Sequence, residues 1–161
     1  MTFITPDRFI ADARRTPVIL NGLINSLSPQ RAMEATDGPD GWSVVEVVGH
    51  LRDFEGFFRD RIELILAEET PALPRYDHVA LAIERDYQHQ NLQAVFADLL
   101  AKRIAFLGLF ESLNPEQFAR SGVHPEAGPI TVFDALVQII HHDLTHLDQI
   151  VRCLGLSDRL L

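Results

Sequence analysis

Four long segments of this chain repeat apolar residues at three- and four-residue steps, and this pattern constrains the fold more than any other feature. The segments cover residues 6–27, 43–69, 87–113 and 131–154, whereas strand-like alternation is weak throughout. Helices that are each apolar along one broad face bury those faces by packing together. The sequence therefore predicts an all-α fold, a four-helix bundle that forms a single domain over residues 1–161.

The connections between the predicted helices are long. Residues 28–42, 70–86 and 114–130 each exceed the loops that usually join neighbouring helices in an up-and-down bundle. We therefore expect at least one of these connections to cross the bundle. Pro17 lies inside the first segment and is expected to kink that helix or to delay its start.

The composition excludes several functional classes. The formal net charge is -9, and the 14 lysines and arginines are scattered, which argues against a nucleic-acid-binding surface. No apolar run approaches the roughly 20 residues that a membrane-spanning helix needs. Residues 1–15 lack the apolar core of a signal peptide, and the single cysteine, Cys153, cannot form an internal disulfide. We expect a cytoplasmic protein that binds neither nucleic acid nor membrane.

Three histidines form a candidate metal site. His142 and His146 are four residues apart in the fourth segment, so both rings project from one face of a helix. Seven histidines in 161 residues give about 0.3 such pairs by chance, so the spacing alone is a weak signal. His50 lies between Val47 and Phe54 on the apolar face of the second segment, which also directs it towards the core.

Burying three imidazoles together is costly unless something binds them, and a divalent metal ion is one such partner. The sequence therefore predicts His50, His142 and His146 as ligands of one ion. Imidazole nitrogens are compatible with Zn, Ni and Fe, so the ligand type does not choose the metal. Three protein ligands leave a coordination position open, which is typical of catalytic sites.

Two elements that contain these histidines resemble the DinB/YfiT-like family of small helical proteins, in which metalloenzymes have been proposed. Residues 42–51, WSVVEVVGHL, resemble the family's W-S-x-x-E-x-x-x-H-L element. Residues 142–150, HDLTHLDQI, resemble its H-D-x-x-H-x-x-Q-I element. Residues 122–131 are similar to the loop before the last helix of many members, and the resemblance extends over about residues 6–155.

The resemblance implies a four-helix bundle with a crossover topology and a metal site built by His50, His142 and His146. It also implies a small-molecule substrate and a homodimer. Some members of the family are thiol S-transferases that use low-molecular-weight thiols, and related maleylpyruvate isomerases use mycothiol. Many members have no assigned reaction, so the resemblance does not name a substrate for this chain.

Several other residues have two interpretations each. Glu46 completes an S-x-x-E capping box with Ser43, and a role in orienting His50 is the alternative. Gln149 lies three residues after His146 and is a candidate partner for that ring, and a hydrogen bond to a backbone group is the alternative. His124 is a candidate fourth ligand or proton shuttle, and an ordinary loop histidine is the alternative.

The remaining candidates are assigned more simply. Asp143 is expected to be a solvated charge, His78 a surface residue, Trp42 a packing residue at the start of the second helix, and Cys153 a core residue. Tyr76, Tyr87, Arg52 and Arg103 are possible substrate contacts that the sequence does not rank.

Three hypotheses of function follow. The first is a metal-dependent enzyme, either a thiol S-transferase or a hydrolase acting on small molecules, whose general acid or base is unassigned. The second is a non-catalytic module of the stress response that binds a metal or a small ligand. The third, a dimeric structural protein that has lost its metal, ranks lowest because all three ligand residues are retained.

Overall fold

The computed structural model describes residues 3–157 and is dominated by helices. In chain order the elements are α1 (Pro6–Ile24), α2 (Pro29–Glu34), α3 (Val44–Ala67), α4 (His78–Glu84), a 3₁₀ turn (Tyr87–His89), α5 (Leu92–Glu111), α6 (Pro115–Phe118), β1 (Ser121–His124), β2 (Gly128–Thr131) and α7 (Val132–Cys153). The long helices α1, α3, α5 and α7 confirm the predicted four-helix bundle. None of the helices in residues 3–157 is long and apolar enough to span a membrane.

The long helices pack in an order that differs from their order in the sequence. Helix α1 packs against α5 and α7, and helix α3 packs against the same two helices. Consecutive long helices α1 and α3 therefore occupy opposite corners of the bundle, as do α5 and α7. The connections at residues 25–43 and 112–131 both cross from one corner to the other, which confirms the predicted crossover topology.

The connections contain regular structure that the sequence pattern did not predict. Residues 121–124 and 128–131 form an antiparallel hairpin, and short helices occupy parts of the other connections. The third long helix begins at Leu92 and not near Tyr87, because the Asn91 side chain accepts a hydrogen bond from the Ala94 amide, 2.9 Å away, and caps the helix there. Tyr87 belongs instead to the separate 3₁₀ turn.

The apolar core has two parts, one towards each end of the bundle. One part packs residues 44–51 of α3 against the first half of α5 and the last turns of α7. The other packs residues 58–65 of α3 against the second half of α5 and the first half of α7. Between these two regions, α3 carries the buried polar side chains of His50, Asp53 and Glu55, and α7 carries that of Asp143.

A buried ion-pair network occupies part of this polar layer. The Arg103 guanidinium donates to both carboxylate oxygens of Glu55 and to both of Asp143, and Thr16 donates to Asp143. Arg103, Glu55 and Asp143 are all buried. The expectation that Asp143 is a solvated charge is therefore wrong, since it pairs with a cation from another helix. The network joins all four long helices.

Pro17 is accommodated within α1 by the same network. A proline has no amide hydrogen, so residue 17 cannot donate the usual helical hydrogen bond to the carbonyl of Ala13. Arg103 donates to that carbonyl from Nη1 at 2.7 Å and satisfies it. Helix α1 therefore begins at Pro6 and continues through Pro17 to Ile24.

Candidate metal centre

The structure brings the three histidines of the sequence prediction together inside the bundle. One nitrogen from each of His50, His142 and His146 lies within 4.8 Å of the other two. His50 comes from the first half of α3 and the other two come from the middle of α7, so the site depends on the contact between these helices. The Nε2 atoms of His50 and His142 are 2.9 Å apart.

The surroundings of two rings determine which nitrogen of each is available. Nδ1 of His146 lies 2.8 Å from Oε1 of Gln149, and an amide oxygen only accepts, so the ring carries its proton on Nδ1. Nε2 of His146 is then free to bind a cation. Nδ1 of His50 is buried without a hydrogen-bond partner, which leaves Nε2 as the atom through which this ring interacts with its neighbours.

The environment lowers the pKa of all three imidazoles. Burial, followed by the charges of His146 and His78, lowers the pKa of His50 to about 2. Burial and then the charges of His146 and His50 lower the pKa of His142 well below its ordinary value. Burial also lowers the pKa of His146, against the opposing effect of the hydrogen bond to Gln149. Neutral rings have the free lone pairs that metal binding requires.

An open pocket of about 540 Å³ lies over the three rings. Its walls come from the segment before α3, the first residues of α4 and one face of α7. The side chains that line it beside the three histidines are those of Asp40, Trp42, Phe54, His78, Val79 and Gln149. A molecule in this pocket therefore has direct access to the cluster.

His78 and Trp42 have a position that the sequence did not predict. The His78 ring lies 5.9 Å from the Trp42 ring and 5.9 Å from the His50 ring, measured between centroids. His78 is exposed, as predicted, and α4 also places it at the rim of the pocket. Trp42 packs at the start of α3, as predicted, and it also lines the pocket.

The wall that contains His78 is attached to α3 through the buried carboxylate of Asp53. Tyr87 donates its hydroxyl hydrogen to Asp53, and Arg52 and Arg85 each approach the same carboxylate at 2.7 Å. Gly49 lets the Tyr87 ring lie against α3, because a Cβ there would be 3.0 Å from the ring. Tyr87 and Arg52 therefore hold the wall and do not line the pocket.

The wall that contains Trp42 is attached to α7. Arg152 makes an ion pair with Asp37 at 3.0 Å, and the buried Cys153 thiol lies 3.5 Å from the Trp42 carbonyl. Cys153 is thus a core residue, as predicted.

Three further sequence predictions have clear outcomes. The carboxylate of Glu46 accepts a hydrogen bond from the Ser43 amide at 2.7 Å, which confirms the capping box. Gln149 contacts His146, as predicted. His124 lies on the β1–β2 hairpin and is outside both the cluster and the pocket lining. Its Nδ1 accepts hydrogen bonds from two amides of its own turn, so its role is to shape the hairpin.

Comparison with known proteins identifies the family. The family model of the DinB superfamily matches residues 12–150, which is most of the chain. The chain belongs to the DinB superfamily. The match confirms the resemblance that residues 42–51 and 142–150 indicated.

Curated relatives within the DinB superfamily have names that refer to metal-dependent hydrolysis. YfiT from Bacillus subtilis (strain 168), a proposed metal-dependent hydrolase, is 28% identical over 155 residues, which are 94% of this chain and 86% of YfiT. A protein of Bacillus licheniformis with a similar name is 26% identical over 147 residues, which are 89% of this chain and 82% of that protein.

Solved structures show the same fold. YfiT from Bacillus subtilis, described as a probable metal-dependent hydrolase with an unusual four-helix bundle topology, superposes with a TM-score of 0.86 at 27% identity, over 99% of this chain and 90% of YfiT. A mycothiol-dependent maleylpyruvate isomerase superposes with a TM-score of 0.74 at 12% identity, over 93% of this chain and 63% of the isomerase. At that identity the second comparison concerns the fold alone.

The residues of the cluster fit a divalent metal ion. Zinc binds imidazole nitrogen at about 2.0–2.1 Å, so its ligand atoms lie at most about 4 Å apart, close to the spacing found here. The rings are neutral, and one of them is oriented by Gln149. The donor set together with the names of the relatives supports a divalent metal without selecting among Zn, Ni and Fe.

Proposed function

We propose that this chain is a metal-dependent enzyme that acts on a small molecule and that hydrolysis is its reaction. The observation that carries the proposal is the arrangement of three imidazoles at the floor of an open 540 Å³ pocket. A site that only stored a metal would need no such pocket. The names of the curated relatives support hydrolysis over other reactions.

Each residue of the site has a definite part in this proposal. His50, His142 and His146 hold the ion, and Gln149 fixes the tautomer and the orientation of His146. A divalent cation at this position supplies Lewis acidity, which polarises a carbonyl group and makes water a better nucleophile. Trp42 and Phe54 provide apolar walls that orient the substrate and reduce its contact with solvent.

The reaction so proposed is the addition of water across an ester or amide bond. The water oxygen bonds to the carbonyl carbon, and one of the water protons leaves the nucleophile. The bond from that carbon to the leaving oxygen or nitrogen breaks, and the leaving atom takes up a proton. No residue of the pocket is assigned as the general acid or base.

Metal analysis of protein purified without a histidine tag tests the first part of the proposal. We expect one divalent ion per chain, removed by a chelator and restored by reconstitution with Zn, Ni or Fe. His142→Ala should lose the ion, whereas His141→Ala, at the exposed neighbouring position, should keep it. Retention of full metal content by His142→Ala would contradict the ligand assignment.

Activity assays test the second part. The metal-loaded protein should hydrolyse members of a panel of small esters and amides, and the chelated protein should not. Thiol transfer is the alternative, and the same preparation with glutathione, mycothiol or bacillithiol and an electrophile tests it. A protein that binds metal but is inactive in both assays would favour the non-catalytic binding module. The homodimer, the cytoplasmic location and the single domain remain predictions.

A further inference from the structure

The outer part of the pocket carries a negatively charged side chain and no lysine or arginine. Apart from the histidines, Asp40 is the only ionisable side chain that lines the pocket. The Asp40 carboxylate is exposed. It makes no ion pair or hydrogen bond with any residue in the described range 3–157. An unpaired negative charge therefore stands at the pocket wall.

The arginines on the elements around the pocket are already paired. Arg152 binds Asp37 and also Asp148. Arg85 binds Asp53 at 2.7 Å. Both guanidinium groups are thus bound to neighbouring carboxylates, and neither of them lines the pocket.

The pocket also contains aromatic surfaces suited to a planar or cationic group. The Trp42 ring lies 5.1 Å from the His50 ring, and the Phe54 ring stacks on His142 at 5.1 Å. Trp42 follows Asp40 by two residues, so the indole and the carboxylate belong to the same wall. Indole faces attract cations, and an adjacent carboxylate strengthens that attraction.

We infer that the pocket selects amine-bearing substrates, with an ammonium group placed at Asp40 and Trp42 and the reacting group directed to the three histidines. The inference rests on the proposed function. An ion held by the three rings is the positive pole of the site, and Asp40 is the negative pole. A carbonyl compound with an apolar body and a distant amino group matches both poles. A substrate with several carboxylates would find no lysine or arginine among the side chains that line the pocket.

Trp42 makes this inference measurable without an activity assay, because it is the single tryptophan of the chain. Three probes of similar size differ in charge: 2-phenylethylammonium, 2-phenylethanol and 3-phenylpropanoate. Each is titrated against the full chain, both metal-loaded and chelated, while Trp42 fluorescence is recorded and calorimetry provides an independent Kd. The chelated protein isolates the outer pocket from direct attraction of the anion to a metal.

In the chelated protein we expect the ammonium probe to bind about 5- to 10-fold more tightly than the propanoate, as expected for one partly screened charge pair. Asp40→Asn should bring this ratio close to one, and Asp40→Lys should reverse it. The control Asp60→Asn removes an exposed carboxylate of α3 that does not line the pocket, and it should leave the ratio unchanged.

Two results would overturn the inference. One is a wild-type protein that binds the propanoate as tightly as the ammonium probe or that binds none of the probes at millimolar concentrations. The other is an Asp40→Asn variant with an unchanged ratio. The proposed function would fail on a different result, the absence of metal from the wild-type protein. The titration of the chelated protein does not depend on whether metal binds.

Discussion

Two polar regions lie inside this bundle, and adjacent residues of α7 belong to one each. Asp143 points into the network around Arg103, whereas His142 points into the histidine cluster. In the network, Arg103 makes hydrogen bonds through Nε, Nη1 and Nη2, and its acceptors come from three other helices. In the cluster, Nδ1 of His50 has no partner, and the Nε2 atoms of His50 and His142 face each other.

The difference separates a structural role from a binding role. A buried polar network whose groups are all satisfied fixes the relative positions of helices and has nothing left to bind a ligand. Burial alone would lower the pKa of Arg103, but Glu55 and then Asp143 raise it above its ordinary value, so the guanidinium keeps its charge. The Nε2 atoms of His50 and His142 belong to rings that line an open pocket and make no bond to a charged partner, so they are available to a ligand. The predictions below test this contrast.

Disrupting the network around Arg103 should have the largest of the predicted effects, a loss in the free energy of unfolding. Arg103→Leu leaves the carboxylates of Glu55 and Asp143 buried without their cation and also removes the 2.7 Å hydrogen bond that Arg103 donates to the Ala13 carbonyl. Removal of one partner from a buried ion pair typically costs about 3–5 kcal/mol, so we expect a loss of that size in the free energy of unfolding, measured by urea denaturation.

Two variants sharpen this first prediction. Lys102→Leu removes the neighbouring cation, whose pair with Asp98 is exposed, and should cost less than about 1 kcal/mol. The triple variant Arg103→Met, Glu55→Leu and Asp143→Leu should recover much of the lost stability, because an apolar layer needs no charge partners. A single Arg103→Leu variant as stable as Lys102→Leu would show that water enters the network and satisfies the carboxylates.

Mutations at the histidine cluster should change its affinity for metal and not the stability of the fold. Gln149→Leu removes the acceptor that fixes the His146 tautomer, and loss of such a contact typically lowers metal affinity about 10- to 100-fold. Competition with a chelating dye measures that affinity. Gln149→Glu keeps an acceptor at the same position and should retain tight binding.

The exposed residue Asp148 provides the control for this second prediction. Asp148→Asn alters the neighbouring position of α7 without touching the rings and should leave the metal affinity unchanged. Equal affinities for Gln149→Leu and wild type would mean that the His146 ring is oriented by the ion alone.

The same contrast explains which features could be predicted from the sequence. The long helices and the inward position of His50, His142 and His146 depend on local periodicity, which one segment of sequence shows by itself. The burial of Asp143 depends on Arg103, 40 residues earlier in the chain, and no local pattern connects the two. A charged residue on a helix is usually solvated, and the prediction for Asp143 rested on that rule. It was wrong because Arg103, which is distant in the sequence, determines whether Asp143 is buried.

The sequence did not predict which residues form the pocket wall, and the reason is related. His78 has no partner at helical spacing, and it reaches the pocket because Asp53 binds Arg85 and Tyr87 and so attaches α4 to α3. The Asp40 carboxylate is likewise placed by an irregular segment. The fold and the three histidines were thus accessible to sequence reasoning, whereas the residues that would contact a substrate come from connections whose positions depend on tertiary contacts.

The smallest predicted effect is the pH dependence of the metal-free protein. The pKa of His50 is about 2 in the folded chain, against an ordinary value of 6.5. Below pH 6.5 the unfolded chain binds a proton at this residue and the folded chain does not, so the free energy of unfolding falls as the pH falls towards 2. The slope due to His50 is at most about 1.4 kcal/mol per pH unit.

His50→Gln cannot titrate at this position, so it should reduce the slope of the unfolding free energy by about 1 kcal/mol per pH unit between about pH 6 and pH 5. His141→Gln, at the exposed neighbour of His142, provides the control and should keep the wild-type slope. Equal slopes for wild type and His50→Gln would mean that the folded protein takes up the proton at His50 as readily as the unfolded chain does. The ring nitrogens of the histidine cluster would then bind protons in place of a ligand. The proposed difference between a binding role for the cluster and a structural role for the Arg103 network would have no physical basis.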